Sequence, residues 1–263
     1  MPITAAAVVP HPPLLVPELG RGDSPELDAL RSACLCAVGA LARADTLLLV
    51  GDGPRFALAA PGATGSFAPY GVDVRVDLPA AAVPAAHAGR GWLDLDRLAG
   101  ALPSAADAPG LLDELPLSLA VAAWLLAASG HAPHRLAALT VPSSLGGAQA
   151  AAIGRALAGA TAVDAGLLVM ADLSARRTAR APATLHPAAA AFDQQVGQAI
   201  RDGAPARLLD LDAALAAVLG VAGLAPLRVL AGALDQARAV RGEVLYEDAP
   251  YGVGYLVGVL SLS

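Results

Sequence analysis

The 263-residue chain is expected to fold as a three-layer α/β/α sandwich around a mixed, mainly parallel central sheet, in a single domain over residues 1–263. Two continuous apolar runs, residues 46–50 and 166–171, have the composition of strands buried on both faces, as parallel strands between two helical layers are. Segments with apolar residues at helical spacing alternate with such runs along most of the chain, the order that stacks helices on both faces of one sheet. The last two strand-like stretches are joined by a short turn, which suits an antiparallel pair at one side.

The apolar run over residues 5–9 is the first strand, and it delivers His11 into Pro10-His11-Pro12-Pro13. Proline fixes its own φ and holds the residue before it extended, so this imidazole is presented in one direction. Asp23-Ser24-Pro25-Glu26 then opens a helix with Leu27, Leu30, Cys34, Val38 and Leu41 on one face. The strand at 46–50 ends in Gly51-Asp52-Gly53-Pro54, and residues 72–78 alternate as a half-buried strand nearer an edge. Residues 79–110 are a connection rich in Pro, Ala and Gly, with a short helix over 94–102 and a surface histidine, His87. A strongly apolar helix over 111–129, carrying Trp124, is expected to pack on the sheet centre. A strand at 136–141, a helix at 146–158 and the strand at 166–171 follow. Helices over 186–201, 208–219 and 224–234 form a cover, and strands over 242–246 and 252–260 close the chain.

Hydrophobic residues make up 56% of the chain and aromatics only 3%, so the core must be built by close packing of Ala, Leu and Val. All 17 basic residues are arginine, and the formal charge of -6 leaves no basic stripe of the kind that displaces counterions from nucleic acid. Cys34 and Cys36 are too closely spaced for a zinc pair and are read as buried small hydrophobes in a reducing compartment. The start of the chain lacks a positive region before its apolar run, and no apolar segment is long enough to span a bilayer. A cytoplasmic protein without nucleic-acid or membrane partners is expected, with a homodimer as a further expectation because Ala-rich helices pack between subunits as well as within one.

Four loops at strand ends carry polar residues: His11, Asp52, Asp172 with Ser174, and Glu247 with Asp248. One imidazole and carboxylates from separate strand ends are the ligand types of a divalent first-row metal, whose open positions bind substrate and activate dioxygen. Taken singly, each carboxylate is equally at home as a loop cap.

The blocks Val9-Pro10-His11-Pro12-Pro13-Leu14-Leu15-Val16-Pro17-Glu18, Gly53-Pro54, Ala171-Asp172-Leu173-Ser174, Phe192-Asp193 and Tyr246-Glu247-Asp248-Ala249-Pro250-Tyr251-Gly252-Val253-Gly254-Tyr255 fall in order over nearly the whole chain. Together they resemble the type III extradiol ring-cleavage dioxygenase superfamily, in the group that also includes the Memo-type proteins. The resemblance implies an α/β/α fold and, in active members, opening of catechol rings by iron(II) held by two histidines and a glutamate, with another histidine as acid-base catalyst. Carried onto this sequence, His11 matches the first ligand histidine and Glu247 the carboxylate ligand. Asp52 stands in Gly51-Asp52-Gly53 where active relatives have Pro-His-Gly. Ala175 stands where the relatives' Asp-Leu-Ser-His places its histidine.

The expected metal ligands are therefore His11, Asp52 and Glu247. A carboxylate in place of an imidazole takes an iron(II) site from net +1 to net zero and hardens the ligand set, so Mn or Mg becomes a credible occupant beside Fe(II). With Ala175 in the acid-base position, the remaining catalytic candidates are Asp172, Ser174 and His186, the last also suited to opening a helix. Arg176, Arg177 and Tyr251 are the candidate substrate contacts, with Arg180 nearby; arginines after Ala175 would clamp an anion at the mouth of the site, or simply lie on a solvated edge. His131 and His134 flank Pro133, which breaks the helix that would align them as a metal pair. Two readings follow: a non-haem, extradiol-type oxidoreductase acting on a small aromatic or oxygen-rich ligand with a degenerate site, or a non-catalytic metal- or ligand-binding or assembly protein on the same scaffold.

Overall fold

The computed structural model describes residues 3–20, 24–79, 92–101 and 110–262, and the nine strands among them form one sheet. In chain order the elements are β1 (Ile3–Val9), α1 (Pro25–Ala40), β2 (Thr46–Asp52), β3 (Ala57–Ser66), β4 (Arg75–Asp77), α2 (Leu95–Ala99), β5 (Gly110–Glu114), α3 (Leu117–Ser129) and β6 (Arg135–Val141). They continue with α4 (Gly147–Ala160), β7 (Ala165–Met170), α5 (Ala189–Arg201), α6 (Ala213–Leu219), α7 (Leu224–Ala233), β8 (Val240–Asp248) and β9 (Tyr255–Leu262). His87 and Asp23 lie outside the described residues.

The strand order β4-β3-β6-β2-β7-β1-β9-β8, with β5 beside β3, places the four apolar strands β6, β2, β7 and β1 side by side and parallel. Successive strand residues point to opposite faces, and the two faces feed two cores. Leu48, Val50, Leu167 and Val169 join α4, α5 and α7 on one side; Leu47, Leu49, Leu168 and Met170 join α1 and α3 on the other. Helices on both faces of one sheet are the expected three layers. The flanks are mixed: β9 and β8 on one side run antiparallel to their neighbours, and on the other β3 runs antiparallel to β6 and β4 but parallel to β5.

The local differences from expectation have physical causes. β3 is rich in Ala, Gly and Pro, residues with little strand preference, and is held as a strand by its neighbours β5, β6 and β4. β5 occupies the start of the expected helix at 111–129, which begins only at Leu117, after Pro116 supplies an extended N-cap. Trp124 is half-buried at the margin of the core, because smaller residues of α3 make the close contact. The expected helix at 208–219 is a 3-10 turn over Pro205–Leu209 followed by α6, whose N-cap Asp212 accepts the Ala214 and Leu215 N–H groups. Both cysteines are free, but only Cys34 is buried; Cys36, two positions on, falls on the exposed face of α1. No helix among the described residues is long and apolar enough to cross a membrane.

Candidate functional site

The parallel strands β1, β2 and β7 end together, and each ends in one of the singled-out residues. Pro10 and Pro12 bracket His11, and a 3-10 turn over Pro13–Leu15 bends the chain away, leaving the imidazole 4% exposed at the strand end. The Asp172 carboxylate reaches across from the end of β7 and accepts the His11 backbone N–H through Oδ1 at 2.8 Å. The imidazole Nε2 stands 3.2 Å from Asp52 Oδ1 and 3.8 Å from Asp172 Oδ2, while its Nδ1 is buried without a partner. Burial pushes the Asp172 carboxyl above its ordinary value, opposed by the imidazole and the His11 N–H.

Asp52 is placed by the two glycines beside it. A Cβ at Gly51 would land on the Ser118 hydroxyl of α3, and one at Gly53 would meet Thr140 Cβ of β6 at 2.7 Å. With both positions bare, Ser118 Oγ donates to the Asp52 carbonyl at 2.6 Å and the carboxylate turns to His11. The following loop, Asp172 to Ala175, is tied down from behind: Asp193 of α5 accepts the Ser174 N–H at 3.0 Å, and Ala175 N–H donates to Leu219 at 2.9 Å.

The structure therefore joins His11, Asp52 and Asp172, and leaves the other candidates elsewhere. Glu247 is not a third ligand: β9 lies between β8 and β1, a separation of two strand spacings or about 10 Å. Its side chain turns to α5, where it lies against Gly197 and pairs with Arg201. Ser174 is fully buried and its hydroxyl accepts the Arg176 N–H, so it shapes the turn rather than facing the imidazole. His186 precedes α5 and its Nδ1 accepts the Ala188 N–H, a helix-opening role. Arg177 faces α5, with Nη1 3.5 Å from Asp193 and bonded to the Ala190 carbonyl. Arg176 is fixed by its main chain, which bonds Ser174 Oγ and His186 N–H. Tyr251 shares a hydrogen bond with Ser24 before α1, and Arg180 is exposed. Neither Arg177 nor Tyr251 is turned to the histidine.

A cavity of about 620 Å³ opens beside Asp52, between the Ser143–Gly147 turn after β6 and the corner joining α6 to α7. Arg228 of α7 lines it, as do the serines Ser143 and Ser144. Sequence reasoning missed these three residues, although a single arginine in the otherwise apolar stretch Leu224-Ala225-Pro226-Leu227-Arg228-Val229-Leu230 was a usable signal.

The donor types at His11 suit a first-row divalent ion, but among the described residues no group of three or more histidine, cysteine or acidic side chains is set to hold one. His11 Nε2 and Asp52 Oδ1 have nearly the spacing of neighbouring donors on one ion, which at bonds of 2.0–2.2 Å is about 3 Å. Asp172 Oδ2, at 3.8 Å, stands back from that spacing.

No family model matches the sequence, and no curated protein matches it. Among solved structures, the fold is similar to that of the crystal structure of uncharacterized protein JW3007 from Escherichia coli K12. The likeness has a TM-score of 0.61 at 16% identity and covers 98% of this chain and 99% of that one, so it extends over the whole architecture.

Proposed function

We propose that this chain is a small-molecule protein of the extradiol-dioxygenase type with an altered centre, in which His11, Asp52 and Asp172 recruit a divalent first-row ion. The observation that supports this reading is the convergence of one rigidly presented imidazole and two carboxylates at the ends of three adjacent parallel strands, beside a cavity large enough for a small ligand. In this reading Asp172 takes the place that Glu247 was expected to fill, with Oδ2 3.8 Å from His11 Nε2. Such an ion, when bound, would coordinate an oxygen-rich substrate and supply a site for dioxygen chemistry. The chain's own residues do the rest. Pro10 and Pro12 fix the imidazole, the His11 N–H fixes one Asp172 oxygen, and the buried strand ends keep bulk water from the His11 side. Ala175 offers no proton carrier, and loss of a positioned acid-base group typically costs about 10²- to 10⁴-fold in rate, so turnover is slow or absent.

The direct 3.2 Å contact between His11 and Asp52 favours a second reading, a metal-free binding protein on the same scaffold. Metal titration separates the two. Protein stripped of metal and dialysed anaerobically against Fe(II), or against Mn(II), is expected to retain one ion per chain, and His11→Ala to retain none. Equal, negligible metal in both would overturn the metal reading. Dioxygen uptake with catechol and 3,4-dihydroxybenzoate then reports whether the loaded protein turns over.

A further inference from the structure

We propose that the cavity at the start of α4 is an oxyanion site that binds the carboxylate or phosphate of a small molecule, with Arg228 as the counter-ion. α4 is a 14-residue helix whose N-cap, Gly146, brings no side chain to its first turn. The first N–H taken within the helix is that of Ala150, which bonds the Gly146 carbonyl at 2.9 Å, so the N–H groups of Gly147, Ala148 and Gln149 have no helical acceptor. They form the positive end of the helix, and of the three residues Gly147 lines the cavity beside the Ser143–Gly147 turn.

Arg228 is the independent observation. It is 6% exposed and lines the same cavity; Nη2 donates to the Leu211 carbonyl at 2.6 Å, and Nε is buried without a partner. No carboxylate pairs with it among the described residues. Its guanidinium lies on the first turn of α4, close enough that a Cβ at Gly147 would stand 3.2 Å from Cζ and 3.3 Å from Nε. A buried cation against the positive end of a helix is repulsive on both counts, since helices favour cations at the opposite end. An anion between them turns both terms favourable: it accepts the free guanidinium N–H and the first-turn N–H groups together. Burial also draws the Arg228 guanidinium below its ordinary value, a cost that a bound anion would offset.

The cavity limits what carries the anion. Ser143 and Ser144 are exposed on the turn and add hydroxyl donors. Ala213, Ala216 and Ala217 of α6 give an apolar wall. Asp52 lines the same cavity and repels a second negative group, so the ligand has its charge at the Arg228 end and a neutral or hydrogen-bond-donating part toward Asp52. This inference stands on Arg228 and α4 and does not require a metal at His11.

Calorimetric titration of the full-length chain in EDTA, at constant ionic strength, with inorganic phosphate and with 4-hydroxybenzoate tests it, the neutral amide of the latter serving as control. Wild type and His11→Ala are expected to bind phosphate, the benzoate or both, and not the amide; which probe binds identifies the headgroup. Arg228→Met should weaken that binding by about tenfold or more, as truncation of one member of a desolvated charge pair does. Should Arg228→Met fail to fold, Ser144→Asp, on the exposed turn that lines the same cavity, adds a negative charge to the cavity wall and should also weaken binding. No binding of either probe to wild type, or equal binding by wild type and the variants, overturns the proposal.

Discussion

Asp193 holds the loop that carries Asp172, and replacing it with asparagine should change how stability depends on pH. Its carboxylate is 2% exposed, accepts the Ser174 N–H through Oδ1 at 3.0 Å, and leaves Oδ2 buried without a hydrogen bond, 3.5 Å from Arg177. Burial pushes its pKa from 3.8 up to about 6, against the opposing pull of the Ser174 N–H and of Arg177. The folded protein therefore holds this proton more tightly than the unfolded chain. The unfolded state binds fewer protons between the two values, so stability falls as pH rises from 3.8 to about 6 and is flat with respect to this group above it. A rise of that size corresponds to about 3 kcal/mol. Asp193→Asn keeps an oxygen acceptor for Ser174 and cannot ionise. Urea unfolding of both proteins, followed by far-UV circular dichroism from about pH 7 to about pH 4, should show the wild type gaining up to about 3 kcal/mol relative to the variant on acidification. The difference between the two proteins cancels the other carboxylates that titrate in this range. A difference that does not change with pH would refute the account of Asp193 as a carboxylate ionised at a cost.

α4 and α7 cross through paired glycines: a Cβ at Gly154 would strike the Val229 carbonyl, and one at Gly232 the Ala151 carbonyl. Gly154→Ala should cost about 1–3 kcal/mol in urea unfolding, whereas Gly39→Ala, in open space on α1 with ordinary φ, should stabilise by about 0.5–1 kcal/mol. Restoring imidazoles at both altered positions, with Asp52→His and Ala175→His together, should produce a coloured catecholate complex with iron. Each single change should leave the protein like its parent, because groups that act as a unit are non-additive; absorption spectra of the anaerobic Fe(II)-loaded variants with catechol, before and after admission of air, check it.

The parts of the fold and site that were legible in the sequence are those dictated locally. Val8-Val9-Pro10-His11-Pro12-Pro13 forces a strand end and a fixed imidazole whatever lies around it, because proline acts on its own backbone and its neighbour's. The continuous apolar runs of β2 and β7 announce burial on both faces and place Asp52 and Asp172 at strand ends, but only their parallel pairing brings the two ends to one edge of the sheet. What could not be read there depends on which segments become neighbours. β3, rich in Ala, Gly and Pro, has little local preference for an extended chain and becomes a strand because β5, β6 and β4 supply its hydrogen bonds. Glu247 sits in a block that resembles a ligand motif, yet the sheet order interposes β9 between it and β1, and α5 supplies Arg201 as its partner. Arg228 looks misplaced in its own helix and acquires a meaning only when α4 is packed against α7, which sets its guanidinium on the N-terminus of a helix far earlier in the chain. Backbone stiffness and burial are properties of a few consecutive residues, whereas strand order and helix crossing arise from contacts between distant ones, and so the tertiary structure alone decided which charges meet.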